Sequence, residues 1–270
     1  MNIEFTAQPL FSKGTSTPAV ARTVLQARGL LDAFPLNPSK KQAVLEISMT
    51  LMKHFIACEE IRQRLDVQVA AGRASIDAGQ ITVERDRLLQ LPGVTNLESE
   101  AEAFLHNAKL ALADVGRLFG PLHGKAFDHR FQKVRAWLQA SHGDKDPILL
   151  MLLEDAPWIE RVINMRNAAE HPKKSGVPLV VKNFRATQAE PLVIASPAWA
   201  YGNEPLADIL NDMDSTIDHT LTLYEDVLVD GILRIARDSV VTIAEIPVAE
   251  RDAEMPIRFI PALKSLPPSA

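Results

Sequence analysis

The chain has 270 residues, 47% of them hydrophobic and 23% charged, with a net charge of -5. This supplies a sizeable core, and the acidic balance excludes a surface that coats nucleic acid throughout. The one cysteine, Cys58, excludes an internal disulfide and a CxxC metal site. No apolar run approaches the roughly 18 residues of a membrane helix, and MNIEFTAQPLFSKG does not read as a secretory signal, so a cytoplasmic protein is expected.

Residues 1–14 read as an arm, with a short strand at Asn2 to Thr6, and a helix follows from Thr17 to Phe34. Pro35-Leu36-Asn37-Pro38-Ser39 breaks it. Val44, Leu45, Leu51, Met52, Phe55 and Ile56 recur at helical spacing and predict a helix over Ser39 to Leu65, with Cys58 as a small buried hydrophobe. Residues 70–97 carry Gly72, Gly79, Pro92 and Gly93 and give no clear period.

A second amphipathic helix is expected from Leu97 to Phe119, ended by Gly120-Pro121, and a third from Lys125 to Gln139. The fourth runs from Asp146 to Glu170, with Pro147 at its first turn and a kink at Pro157. Strands are expected at Val177 to Phe184 and Leu192 to Ser196. A long helix follows from Leu206 to Ala236, then strands at Val240 to Ile246 and Ile257 to Ile260 and a frayed tail. The expected fold is mainly α, a helical bundle with a small β appendage.

The most informative run is Met165-Arg166-Asn167-Ala168-Ala169-Glu170-His171-Pro172. On a helical wheel with Trp158 at zero, Val162, Met165 and Ala169 fall within about 40° and Arg166 near 80°, at the edge of an apolar stripe. A charge so placed needs a partner, and Glu170 at i+4 is the simplest one. Residues before proline avoid the α region, so the helix should end at or just before His171. Asn167, one turn earlier, is placed to hydrogen-bond the imidazole and fix its tautomer. An arginine fork binds phosphate, and a histidine moves protons near neutral pH.

From Arg161 to Arg185 six bases stand against one acid, a net +5 over 25 residues. The stretch reads either as a solvated helix end, where Lys173 and Lys174 meet the helix dipole, or as a patch that contacts an anion. Arg117 with His123 and Arg135 with His142 share the loose spacing, but neither arginine is followed by a polar amide.

Arg166-Asn167-Ala168-Ala169-Glu170-His171 resembles the R-x(4–6)-H signature of the HEPN superfamily, in the form with a polar residue after the arginine. The resemblance implies a HEPN-type helical bundle over residues 39–240 with a β insertion at about 177–200. Residues 1–38 (an arm and helix) and 241–270 (strands and tail) flank it. It also implies a metal-independent endoribonuclease, without cofactor, whose site forms across a symmetric homodimer. His171 would assist attack of a ribose 2′-hydroxyl on the adjacent phosphate, Arg166 would stabilise the developing charge, and Asn167 would orient the pair. Lys173 and Lys174 would draw in RNA. A toxin or phage-defence role, with an antitoxin or other protein partner, is the setting it suggests.

A non-catalytic module of the same type, binding RNA or a protein, is the alternative; a third is a helical interaction protein in which Arg166 and Glu170 form only a salt bridge. His123, Asp128 and His129 form a weak metal candidate, and the other histidines lack ligand spacing. No phosphate loop and no GxSxG elbow occurs. Asp212, Asp214, Asp218, Glu225 and Asp226 read as the solvated face of the last helix. Trp199 and Tyr201 read as packing residues of the appendage rather than base-stacking ones.

Overall fold

Prolines, polar caps and apolar stripes set where most of the helices begin. The computed structural model describes residues 13–80, 82–84, 87–186 and 193–264. The strand expected at Asn2 to Thr6 lies outside them. The chain enters through α1 (Pro18–Val20), a π-helical stretch (Ala21–Leu25) and α2 (Gln26–Ala33). Asn37 then caps α3 (Pro38–Asp77), its side chain accepting from the Ser39 N–H. α3 has 40 residues and so spans about 60 Å.

That helix outruns the expected Leu65 because its far end is covered. Phe184 packs onto Gly72, where an added Cβ would lie 2.5 Å from the ring. Arg73 donates to the Ile194 carbonyl and the Ser196 hydroxyl. The β appendage thus supplies the apolar and polar partners that the solitary sequence pattern lacks.

After the hairpin β1 (Thr82–Glu84) and β2 (Arg87–Gln90), the helix α4 (Leu97–His123) runs through Gly120-Pro121 rather than stopping there. Proline in a last turn removes only one hydrogen bond. The stop is Gly124, at φ +83, whose N–H reaches the Gly120 carbonyl while Lys125 N–H reaches that of Phe119. The next helix, α5 (Phe131–His142), starts six residues later than expected. Residues 124–130 instead fold back onto α4 at Gly116, with the Phe127 N–H donating to the Gly116 carbonyl. The expected fourth helix is two: α6 (Pro147–Glu154), capped by Asp146, and α7 (Ala156–Glu170), broken at Asp155 with Pro157 in the first turn of α7.

A short α8 (Pro172–Ser175) follows. The appendage then pairs β3 (Leu179–Lys182), β6 (Ala198–Tyr201) and β7 (Ala207–Asp208) as one antiparallel sheet, in the order β3-β6-β7. β4 (Arg185–Ala186) and β5 (Ile194–Ala195) form a separate pair. Asp208 caps α9 (Ile209–Ile235), and the hairpin β8 (Val241–Glu245) and β9 (Phe259–Leu263) closes the described chain. The protein is therefore mainly helical, with small antiparallel sheets. One buried cluster runs from Leu30 and Leu31 through Phe55, Phe104 and Leu112 to Tyr224 and Leu228, with α4 against α3, α7 and α9. Among the described residues no helix is long and apolar enough to cross a membrane.

Of the acids of α9, Asp214 and Asp218 are exposed as expected, while Asp212, Asp226 and above all Glu225 do not belong to a solvated face. Glu225 is 0% exposed. Its carboxylate takes a bidentate pair from Arg22 (2.6 and 3.1 Å), a bond from Gln26 Nε2 (3.0 Å) and a contact from Arg258 (3.5 Å). Asp218 meets Arg22, Asp214 meets Arg62, and Asp212 meets Arg161. Asp226 lies half-buried beside Arg258. Burial, with help from the negative charges of Glu225, Asp155 and Glu245 and against Arg258, pushes its carboxyl up to about 6.

These two neighbours should respond oppositely to neutralisation. Glu225→Ala takes the buried bidentate partner from Arg22, leaving only the exposed Asp218 to pair it, and should cost roughly 3–5 kcal/mol. The folded chain holds the Asp226 proton more tightly than the unfolded chain. Its contribution therefore falls as pH rises from the unfolded carboxyl range to about 6. Asp226→Asn should accordingly stabilise the protein by about 1–2 kcal/mol at pH 7.5 and by nothing at pH 4. Urea unfolding at the two pH values checks both, and a destabilised Asp226→Asn at pH 7.5 would contradict the burial argument.

Candidate functional site

The end of α7 is where the sequence motif meets the fold. Ile159, Val162, Met165 and Ala168 face the core. Arg166, beside them, keeps 13% of its side chain exposed. The helix ends at Glu170, and His171 takes a non-helical φ of -133° before Pro172, as the pre-proline restriction requires.

Arg166 bridges two partners. Its Nη1 lies 2.9 Å from Glu170 Oε2, the i+4 ion pair foreseen from spacing. Its Nη2 lies 3.2 Å from Nδ1 of His106, an exposed residue of α4. Its Nε is buried with no acceptor, so the guanidinium retains an unmet donor. His171 stands on the other side of Glu170, Nε2 3.7 Å from the same Oε2, with 52% of its side chain exposed. The line His106–Arg166–Glu170–His171 therefore forms one polar cluster that solvent reaches at both ends.

Asn167 does not orient His171 through its side chain. Its Oδ1 accepts from Lys109 Nζ at 2.8 Å, and only its backbone carbonyl meets the His171 N–H. Side chains at i and i+4 can share a face, but α4 lies closer to Asn167 than the imidazole that has turned out of the helix. Burial, aided by the Arg166 charge and opposed by Glu170, lowers Lys109 from its ordinary range. Desolvation raises Glu170, yet the charges of Arg166 and His171 prevail and hold it below the usual carboxylate range.

The basic stretch is not one surface. Arg161 is spent inside the fold on Glu204 and Asp212, each at 2.8 Å, and Arg185 donates to the Ser196 carbonyl. Lys173 and Lys182 are exposed, and the side chain of Lys174 lies outside the described atoms. On the appendage side, the cleft beside α7 is lined by Ala168, Ala169, Leu179 and Val181 together with Glu98 and Glu102. Its acids disfavour an anion there. The cationic side of the site is the other one, toward Lys109 and the loop 124–130. That loop opens a cleft of about 750 Å³ lined by Lys125, Phe127, Asp128, Arg130, Lys133 and Trp137, in which Asp128 pairs with Arg130 and leaves the two lysines in excess.

The remaining candidates separate. His123 is packed on Phe119 and Trp137, and burial lowers it to about 4. His129 is lowered by burial and by the charge of Lys109. Among the described residues no group of three or more His, Cys, Asp or Glu side chains is placed to hold a metal ion. Trp199 is buried against Phe104 and donates to Asp212, which leaves its ring no face for a base. Cys58 is buried, and desolvation raises its thiol further.

His106 and Lys109 were missed as site residues. They are three apart on α4 and point to the side α7 covers, so no local spacing connects them to Arg166. The only sequence sign is that both interrupt the polar edge of the Ala101–Phe104–Leu105–Ala108–Leu112 stripe with groups able to carry charge. No family model, no curated protein and no solved structure matches the chain.

The loop's approach to α4 is a constraint on the site's rim. An added Cβ at Gly116 would lie 2.3 Å from the Asp128 carbonyl oxygen. Gly116→Ala should cost about 1–3 kcal/mol in urea unfolding and perturb Trp137, whose ring sits 5.5 Å from Phe127. Wild-type stability and fluorescence would show that the loop does not close on the helix.

Proposed function

We propose that the protein is a metal-independent endoribonuclease of HEPN type. The observation that carries this is the meeting of Arg166, Glu170, His171 and His106 at a solvent-reached helix end, with Lys109 beside them. A guanidinium whose Nη2 edge faces an imidazole suits a phosphate oxygen, and imidazoles suit the proton transfers of transesterification. In the reaction the ribose 2′-oxygen attacks phosphorus and the bond to the 5′-oxygen breaks. A 2′,3′-cyclic phosphate and a 5′-hydroxyl result. Arg166 offsets charge on the phosphoryl oxygens, and His171 carries a proton. Asn167 acts by holding Lys109 at the rim rather than by touching the imidazole. Lys173, and Lys174 next to it in sequence, lengthen the cationic track for RNA.

A homodimer is part of this reading, because a two-fold axis through the ends of two α7 helices would set two such clusters together. A toxin or phage-defence component held in check by an antitoxin or other protein is the biological setting, in the cytoplasm. The second reading, a non-catalytic module of the same type that binds RNA or a protein, is favoured by one contact. Glu170 already occupies one edge of Arg166.

Cleavage of a structured RNA pool in EDTA decides between them. Wild type should leave cyclic phosphate ends, while Arg166→Ala and His171→Ala lose about 100-fold or more. RNA binding that weakens steeply with salt but without cleavage would favour the module. Equal cleavage by all three proteins would remove the motif from the chemistry.

A further inference from the structure

Transesterification moves two protons, one off the 2′-hydroxyl and one onto the departing 5′-oxygen, and a single histidine beside Arg166 accounts for one at a time. We propose that His106 is the second catalytic residue: it takes the 2′-hydroxyl proton, and His171 protonates the leaving oxygen. The proposal rests on the ribonuclease reading above and replaces the role in the attack expected for His171.

The hydrogen-bond inventory decides the assignment. A guanidinium has donors and no acceptor, so the 3.2 Å contact between Arg166 Nη2 and His106 Nδ1 requires a lone pair on Nδ1. His106 is then neutral, with its proton on Nε2. Its one basic position faces the nitrogen offered to phosphate. When a phosphate oxygen takes the one of the two Nη2 hydrogens that points at Nδ1, Nδ1 loses its donor and is left as an unengaged base about one hydrogen-bond length from the group that holds the phosphate. The 2′-hydroxyl is carried on the ribose attached to that phosphate. Substrate binding thus releases the base where it is needed.

His171 has the opposite surroundings. Glu170 Oε2 lies 3.7 Å from Nε2, longer than a hydrogen bond but close enough to give an imidazolium an ion-pair partner. The same carboxylate is anchored by Arg166 at 2.9 Å, which fixes acid and phosphate clamp relative to each other. The step balances. The 2′-hydroxyl proton passes to His106 Nδ1, the 2′-oxygen bonds to phosphorus, the bond from phosphorus to the 5′-oxygen breaks, and that oxygen takes a proton from His171. His106 ends as imidazolium and His171 as imidazole, and water exchanges the proton between them, since both rings are exposed.

A substrate with sulfur in place of the 5′-bridging oxygen separates the roles, because a thiolate leaves without being protonated. The full chain, as wild type, His106→Gln and His171→Gln, is assayed on an oxygen and a sulfur version of one RNA at a mapped cleavage site. Glutamine still offers Arg166 an acceptor but transfers no proton, so it keeps any purely structural service of His106. On the oxygen RNA both variants should fall by about 100-fold or more. On the sulfur RNA His171→Gln should recover to within a few-fold of wild type, and His106→Gln should stay slow. Wild-type rates for His106→Gln would show that the ring only holds Arg166. Sulfur rescue of His106→Gln, but not of His171→Gln, would reverse the roles and overturn the assignment. A wild type that cleaves neither RNA would overturn the ribonuclease reading itself, whatever the variants do.

Discussion

A helix buried on three sides has little surface left for chemistry, and α4 is such a helix. α3, α7 and α9 all pack against it, and Phe104, Leu105, Ala108, Ala111, Leu112 and Val115 are lost to the core. What remains is the strip that carries His106 and Lys109. α7 lies along that strip, so the polar residues of α4 there meet polar residues of α7 or water. Arg166 and Asn167 meet them. The site is thus the boundary at which the packing of two helices gives way to solvent, and the positions of its charges follow from that packing.

The same rule governs the charges far from the site. Glu225 is fully enclosed on α9 and is tolerated because Arg22, Gln26 and Arg258 converge on it from the N-terminal helix and the C-terminal hairpin. Gln26 also accepts from the backbone N–H groups of Arg258 and Phe259. A carboxylate that reads as surface therefore ties the two ends of the chain to its last long helix. Removing one partner strands the others, which makes the cluster a determinant of register between segments more than 190 residues apart.

Much of the architecture was legible because helical periodicity is a local signal. The starts of α3 and α6, the end of α7 and the two final strands all follow from prolines, caps and apolar spacing, whereas α9 starts at Ile209 rather than Leu206 because Ala207 and Asp208 pair with β6. The errors have tertiary causes. α3 continues past Leu65 because Phe184 and Arg73 join it to the appendage. Residues 125–130 give up a helix because Gly116 admits their backbone onto α4. Asp212, Glu225 and Asp226 look solvated only while their arginine partners, far away in sequence, are unseen. In the site, the ion pair of Arg166 with Glu170 was legible at i+4. The service of Asn167 to Lys109, and the contact of Arg166 with His106, were not, since they join helices about 60 residues apart.

The pairing of Arg166 with Glu170 looks at first like an argument against function, because a satisfied arginine has no need of a ligand. The geometry allows both. Glu170 occupies Nη1 and leaves the Nη2 edge, which meets the imidazole of His106. A phosphate anion outcompetes an imidazole for a guanidinium, since it adds the attraction of an opposite charge and a bidentate fit to the hydrogen bond. Glu170 meanwhile holds the guanidinium plane in place, which reduces the ordering needed when phosphate arrives. An arginine held on one edge and lightly held on the other is better prepared to bind an anion than one left to move in water.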